Sequence, residues 1–408
     1  GWRATWRAAR GCLSGRKRLT AGGLQLEALG ATVRGELTID GGAPSAQGRI
    51  DLRCPDLARS LQQLGMDKPR LPQGMRGLTL TADLSARPET LSLTRLNAKA
   101  GQLAATGSLS LSRRQGRPFV EFALSSEALD LERLSETGST GKAQAKTQAK
   151  PQPKAQGRPW EVPLLRDFDA KGELKVRDLS GWRFHLRDLA MPVALSGGRL
   201  TLGPGKGRFY GATLHSRSTV DFRQAVAFDT SLSVTAFDLG AATRDRKLES
   251  VLTGQASLEA ALRARDLGPG RLPAALNGEW SFSVRNGSYQ SRGKGGELKG
   301  EPTRFSVASA SGTVKNGVAQ SSNLRIQGPT LTTTGSGSLN LVSRTIDCNF
   351  TVNMRGLPEF PLRVYGSMDK PKTSIGAGKL ILNTITGITS GIVDVLGGIV
   401  EGTWKLFR

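Results

Sequence analysis

Apolar and polar residues alternate along most of the chain, with the two-residue period of β-strands rather than the 3.6-residue period of helices. From Ile346 to Met354, the residues Ile346, Cys348, Phe350, Val352 and Met354 point one way, and Asp347, Asn349, Thr351 and Asn353 the other. This stretch therefore predicts a strand with one apolar face. A five-residue unit recurs: glycine, any residue, apolar, polar, apolar. Copies begin at Gly35, Gly48, Gly107, Gly172, Gly198, Gly278 and Gly337. Glycine is expected to supply a turn or bulge at the head of each run. Two Asn-Gly pairs, Asn286-Gly287 and Asn316-Gly317, each fit a two-residue hairpin, because both central residues of a type I′ turn need positive φ. Asp56-Leu57, Asp130-Leu131 and Asp238-Leu239 each follow an alternating run and open a short helical one. The pattern predicts a mostly β protein, with modules of antiparallel strands each closed by a helical turn.

Three segments depart from it. Residues 137–158 hold no large apolar residue, carry Lys142, Lys146, Lys150, Lys154 and Arg158 without an acid, and include Pro151 and Pro153. Lysines every four residues would stack like charges on one helix face. The segment reads as a disordered basic linker between a β-repeat module at 20–136 and a second β-region at 159–375. Residues 1–19 combine Trp2, Trp6 and Ala9 with Arg3, Arg7, Arg10, Arg16, Lys17 and Arg18, which suggests a short basic amphipathic helix. From 376 to 408 the period switches to 3.6. Ile381, Ile385, Ile388, Ile392, Val395 and Ile399 fall on one arc, with Lys379, Asn383, Asp394 and Glu401 opposite. This predicts an amphipathic C-terminal helix that lies in a membrane interface, docks on a partner helix or caps the open end of the sheet. No run of about 20 uncharged apolar residues is long enough to span a bilayer. The sequence begins with Gly1 rather than Met, so it reads as a processed product or a fragment, and any signal or anchor upstream is not visible.

Composition sharpens this picture by exclusion. Aromatic residues are 5% of the chain and glycines number 51, which fits many short strands joined by tight turns. Cys12, Cys54 and Cys348 are odd in number and far apart, giving neither a zinc spacing nor a disulfide framework. With His185 and His215 as the two histidines, both in alternating runs, and no Gly-x-Ser-x-Gly elbow, no nucleophile has a base and no catalytic residue is assigned. Gly203-Pro204-Gly205-Lys206-Gly207 lacks the spacing of a phosphate cradle and reads as a turn. Neither a metal nor a cofactor is implied. The net charge of +23 would suit anionic lipid head groups or nucleic acid. The cations are spread over many strands without an aromatic platform, so nucleic acid is not an expected partner.

A sheet with one apolar face has two solutions. Two sheets pack face to face as a sandwich, or one long sheet curls around its apolar face and leaves a groove. Small aliphatics in place of large rings favour the groove. If about 24 strands stacked at roughly 4.8 Å, such a groove would run about 115 Å. Its candidate lining residues are Leu200, Leu202, Trp280, Phe282, Val284, Ile346, Phe350 and Val352.

One further set of motifs carries a resemblance. Gly207-Arg208-Phe209-Tyr210-Gly211-Ala212 is followed in order by Asp238-Leu239, Gly254, Leu276-Asn277-Gly278, Asn286-Gly287-Ser288-Tyr289 and Gly335-Ser336-Gly337. The series closes on Pro361-Leu362-Arg363-Val364-Tyr365-Gly366-Ser367-Met368-Asp369-Lys370-Pro371. In that order these resemble the C-terminal region of the AsmA family over residues 160–375, with 20–136 similar to its preceding strand repeats. The resemblance implies an inner-membrane-anchored periplasmic protein of Gram-negative bacteria, related to bridge-like lipid-transfer proteins, with an elongated β-groove and no catalytic residues. It implies phospholipids, the membrane surface and other envelope proteins as partners. Binding of outer-membrane proteins through sheet edges, without lipid, is the alternative. The basic segment 137–158 is an addition to the family pattern.

Overall fold

The structure is a computed structural model that describes residues 3–9, 18–40, 44–63, 77–131, 163–181, 184–245, 250–267, 272–292, 298–356, 358–368 and 370–375. Segment 137–158 and the amphipathic segment 376–408, with Ile381, Ile385, Ile388, Ile392, Val395 and Ile399, lie outside the described residues. The described residues form twenty-one strands. The chain divides into two units, one of Gly1–Lys150, Val162–Ser180 and Asp188–Leu200, the other of Pro151–Glu161, Gly181–Arg187 and Thr201–Arg408.

In the first unit, β1 (Arg3–Ala9), β2 (Arg18–Ala28), β3 (Ala31–Asp40), β4 (Ser45–Cys54), β5 (Leu78–Arg87), β6 (Thr90–Ala100), β7 (Leu103–Arg114) and β8 (Arg117–Asp130) each pair antiparallel with the next. The first of these replaces the helix expected at the N-terminus. A helix that short is marginal in water, whereas β2 offers a ladder on which Trp6 stands opposite Leu24 and Arg3 opposite Glu27. β9 (Asp169–Gly181) then joins β8 in parallel, with Phe122 opposite Gly172. A parallel neighbour cannot be reached by a hairpin; the chain must cross back over the sheet, which takes about a dozen residues or more. Residues 131–168 supply that crossover. The basic segment 137–158 stands in the sequence between these two strands.

After β10 (Phe184–Ser196) and β11 (Arg199–Phe209), the second unit runs through β12 (Ala212–Asp221), β13 (Val226–Asp238), β14 (Ser250–Leu267), β15 (Asn277–Arg292) and β16 (Leu298–Lys315). It continues through β17 (Val318–Gln327), β18 (Leu331–Asn340), β19 (Thr345–Met354), β20 (Phe360–Ser367) and β21 (Lys370–Ile375). From β12 to β21 every strand pairs antiparallel with the next. Among the described pairings neither ladder closes into a barrel. The helices are short: α1 (Leu57–Gln63), α2 (Leu239–Asp245) and α3 (Leu272–Ala275). Two of the Asp-Leu repeats cap them. The Asp56 carboxylate accepts the Arg59 amide and the Asp238 carboxylate the Ala241 amide, each at 3.0 Å.

The turn chemistry is part expected and part not. Asn316-Gly317 joins β16 to β17 with φ of 46° and 77°, a two-residue hairpin closed by the Lys315–Val318 pair. Asn286-Gly287 is no hairpin; it lies inside β15. Gly287 stands opposite Phe305, and a Cβ there would sit 2.2 Å from the phenyl ring, so the pair makes room for that ring in mid-strand. The repeated glycines likewise serve strands. Of the seven unit heads, Gly198 alone falls in a turn, and the other six lie within strands. Gly203 to Gly207 also belongs to a strand, β11, and not to a turn. What the missing side chain provides is space for a neighbour. On β18, a Cβ at Gly335 would meet the Phe350 ring at 2.6 Å, and one at Gly337 the Cys348 sulfur at 2.3 Å. Gly335→Val should therefore destabilise the protein by about 1–3 kcal/mol through overpacking, read as a lower midpoint in chemical unfolding.

Candidate functional site

In the first unit the apolar positions line up across strands. Leu37 stands opposite Gly48, Gly48 opposite Leu84, Leu84 opposite Leu93, Leu93 opposite Leu109 and Leu109 opposite Phe122. A second row runs from Val33 through Leu52 and Leu80 to Ala98 and Ala105. The alternate positions carry Arg34, Glu36, Arg49, Arg53 and Glu121 and face the other way. Among the described residues most of this apolar face is only partly buried. Leu37, Ile39, Ile50, Leu52, Leu80, Leu84, Leu93, Leu109 and Phe122 are half-buried, and Leu111 is 39% exposed. On an open sheet face, lateral neighbours shield each side chain in part while its tip meets solvent, which gives this intermediate burial. From β3 to β8 the buried apolar residues are Cys54, Ala82 and Leu96, the first of them against α1 through a 3.0 Å contact between its sulfur and the Ser60 hydroxyl.

The second unit treats the same face differently. Val284 and Val352 are fully buried, Phe282 is 2% exposed and Phe350 5%. Trp280 and Phe282 on β15 and Cys348 and Phe350 on β19 line one small cavity of about 70 Å³. On a flat sheet β15 and β19 would be about 19 Å apart, four strand spacings. Phenyl rings this buried cannot stand on a flat open face, so the sheet curls around its apolar side between these strands. A packed cluster of Leu331, Ile346, Cys348, Phe350, Val352, Leu362 and Val364 lies on β18, β19 and β20.

The sequence-derived lining residues therefore divide. Phe282, Val284, Ile346, Phe350 and Val352 are buried on the apolar face of the second unit, and Trp280 is part-buried there. Leu200 and Leu202 are half-buried on β11 and fall in different units. The half-buried leucines of β3 to β8 were not named among the candidate lining residues. Their signal lay in the repeats headed by Gly35, Gly48 and Gly107, whose small aliphatics stand out less than the rings of β15 and β19.

Polar groups on the buried face are few. Trp280 Nε1 and Thr333 Oγ1 are buried without a hydrogen-bond partner. Burial, and then the Asp347 carboxylate, push the Cys348 thiol up to about 11. Asp347 is held below the ordinary carboxylate range by hydrogen bonds from Arg363, at 2.8 and 2.7 Å on the polar face. Among the described residues no three His, Cys, Asp or Glu side chains gather as metal ligands, and no helix is long and apolar enough to cross a membrane.

Two predictions follow from these groups. Thr333 is 1% exposed, and an unpaired buried hydroxyl is costly, so Thr333→Val should raise stability by about 1 kcal/mol in chemical unfolding. The Cys348 thiol titrates higher when folded than unfolded, so its contribution is present below pH 9.0 and is lost as pH rises towards 11. The stability gap between the native chain and Cys348→Ala should narrow over that window.

A family model supplies the comparison with known proteins: that of the AsmA family matches residues 35–324, more than two thirds of the chain. No curated protein and no solved structure matches it.

Proposed function

The chain belongs to the AsmA family, and on that premise we propose that it is a non-enzymatic protein of the bacterial envelope whose open apolar sheet face binds phospholipid. The family is envelope-associated. The observation that carries the reading is the contrast in burial. From β3 to β8 the apolar face stays only partly buried, Cys54, Ala82 and Leu96 apart, while the same face in the second unit is deeply buried. An acyl chain laid along the leucines of β3 to β8 would be kept from water, at roughly 0.8 kcal/mol per methylene. Its head group would stay in solvent, beside polar residues of the opposite face. Sliding along such a face breaks no covalent bond and needs no catalytic group. In this reading the protein acts in the periplasm in association with the inner membrane and binds or conducts phospholipid towards the outer membrane, supporting outer-membrane assembly. Its partners are phospholipids, the membrane surface and other envelope proteins.

Capture of outer-membrane proteins through a sheet edge is the second reading. It is favoured by β21, which pairs on one side among the described strands, and it requires no bound lipid. Native mass spectrometry of the purified chain separates the two. Phospholipid should co-purify with the native protein. Leu84→Glu and Leu109→Glu should lose it while their thermal midpoints shift little, because an open face tolerates a charge. Variants that fold and still carry lipid would refute the open-face reading.

A further inference from the structure

The partly buried apolar face of the first unit has two unlike ends. At one end Cys54, Leu78, Ala100 and Leu103 stand side by side across the ladder. There α1 lies against the face, through the 3.0 Å contact between the Cys54 sulfur and the Ser60 hydroxyl. At the other end the β5–β6 and β7–β8 turns close their hairpins. There Leu111 reaches 39% exposure.

Two positions beyond Leu111 stands Arg113, exposed and in the same phase of β7. Between Thr106 and Arg114 the register with β8 is unbroken, so Leu109, Leu111 and Arg113 take the same face. Opposite Arg113 is Pro118, which brings no polar side chain. From β3 to β7 every other position in this phase holds an aliphatic residue, Cys54 or glycine, so Arg113 is the one charge on the face. Nearby arginines are engaged elsewhere: Arg95 with Asp83, and Arg114 with Glu121 at 2.9 Å on the polar face. The carboxylate next along the ladder is Glu89, in the turn beyond the Thr90–Ser112 pair, and it makes no ion pair with Arg113.

An apolar strip with a cation at one end matches an amphiphile with an anion at one end. The guanidinium offers a fork of donors that fits phosphate oxygens. Length agrees as well. From Leu103 to Leu111 the strip runs eight residues, roughly 27 Å at about 3.4 Å per residue. The acyl chains of one leaflet span about 15 Å, half of a bilayer core of about 30 Å. A lipid can therefore lie along the strands with its tails short of α1 and its head at the turns, where the apolar face gives way to solvent.

We infer that a phospholipid lies along the strands of this face, its acyl chains pointing towards α1 and its phosphate beside Arg113. The inference rests on the lipid-binding reading above. It adds the direction in which the lipid lies and the residue that meets its head group.

Calorimetric titration of the full chain with dihexanoyl phosphatidylglycerol and with dihexanoylglycerol tests it, since the second carries the same chains and no phosphate. Arg87 supplies the control: it is exposed at the same end but in the polar phase of β5, and its loss changes the net charge equally. Arg113→Gln should bind the phosphatidylglycerol about two- to fivefold more weakly than the native chain, the range of an exposed ion pair. It should bind dihexanoylglycerol as the native chain does. Arg87→Gln should match the native chain with both lipids. Equal weakening in the two variants would replace the site with a diffuse charge effect and overturn the inference. Unchanged binding by Arg113→Gln, or equal weakening towards both lipids, would overturn the phosphate contact and leave lipid binding standing. Failure of the native chain to bind either lipid would overturn the lipid reading and this inference together.

Discussion

Each strand of this protein sets its large apolar side chains on the same side of its sheet, and a face of that extent has to be shielded from water by something. The backbone ladder fixes the problem. Because side chains alternate strictly, antiparallel register from one strand to the next aligns apolar with apolar, and the aligned rows grow with every strand added. The two units answer differently. Between β15 and β19 the sheet bends onto its own apolar side and closes over Phe282, Val284, Phe350 and Val352. Between β3 and β8 most of the leucine rows stay only partly buried. The proposed function follows from that unshielded face, since acyl chains are what such a face would exclude from water most favourably.

Glycine is what permits the bend. A sheet curls towards the face whose side chains are removed, and the second unit removes them where large rings need room: Gly335 beneath Phe350, Gly337 beside Cys348 and Gly287 beneath Phe305. The same economy leaves a small gap beside Trp280, lined in part by Ala310, Ala319, Ser321 and Gly337. Closure and the gap thus have one origin, the pairing of large residues on outer strands with small ones between them.

Much of this was legible in the alternation. Ile346 to Met354 reads as a strand and forms β19, because Asn and Asp between Ile, Cys, Phe and Val fit no helix face. Asn316-Gly317 is the hairpin that its residues demand. The same dipeptide at Asn286-Gly287 misled, since positive φ serves a mid-strand irregularity as well as a turn, and only the partner residue Phe305 distinguishes them. Leu29-Gly30, Gln115-Gly116 and Tyr210-Gly211 make two-residue hairpins without the customary Asn or Asp at the first position, with positive φ imposed by the strands on either side. The parallel pairing of β8 and β9 leaves no local trace, because it is a long-range choice made across residues 131–168. How deeply each face is buried was not legible for a similar reason. Alternation says that a face is apolar, but burial depends on whether the sheet bends, and that depends on which small residues meet which large ones across the ladder.

Leu84 and Ser85 are neighbours on β5 that point to opposite faces of the sheet, Leu84 towards Leu93 and Ser85 beside Ser92. Photo-crosslinking residues placed at each position in turn, on the full chain incubated with phospholipid vesicles, ask which face meets acyl chains. The account predicts lipid adducts from position 84 and none from position 85. Equal labelling from both positions, or labelling from 85 alone, would contradict it.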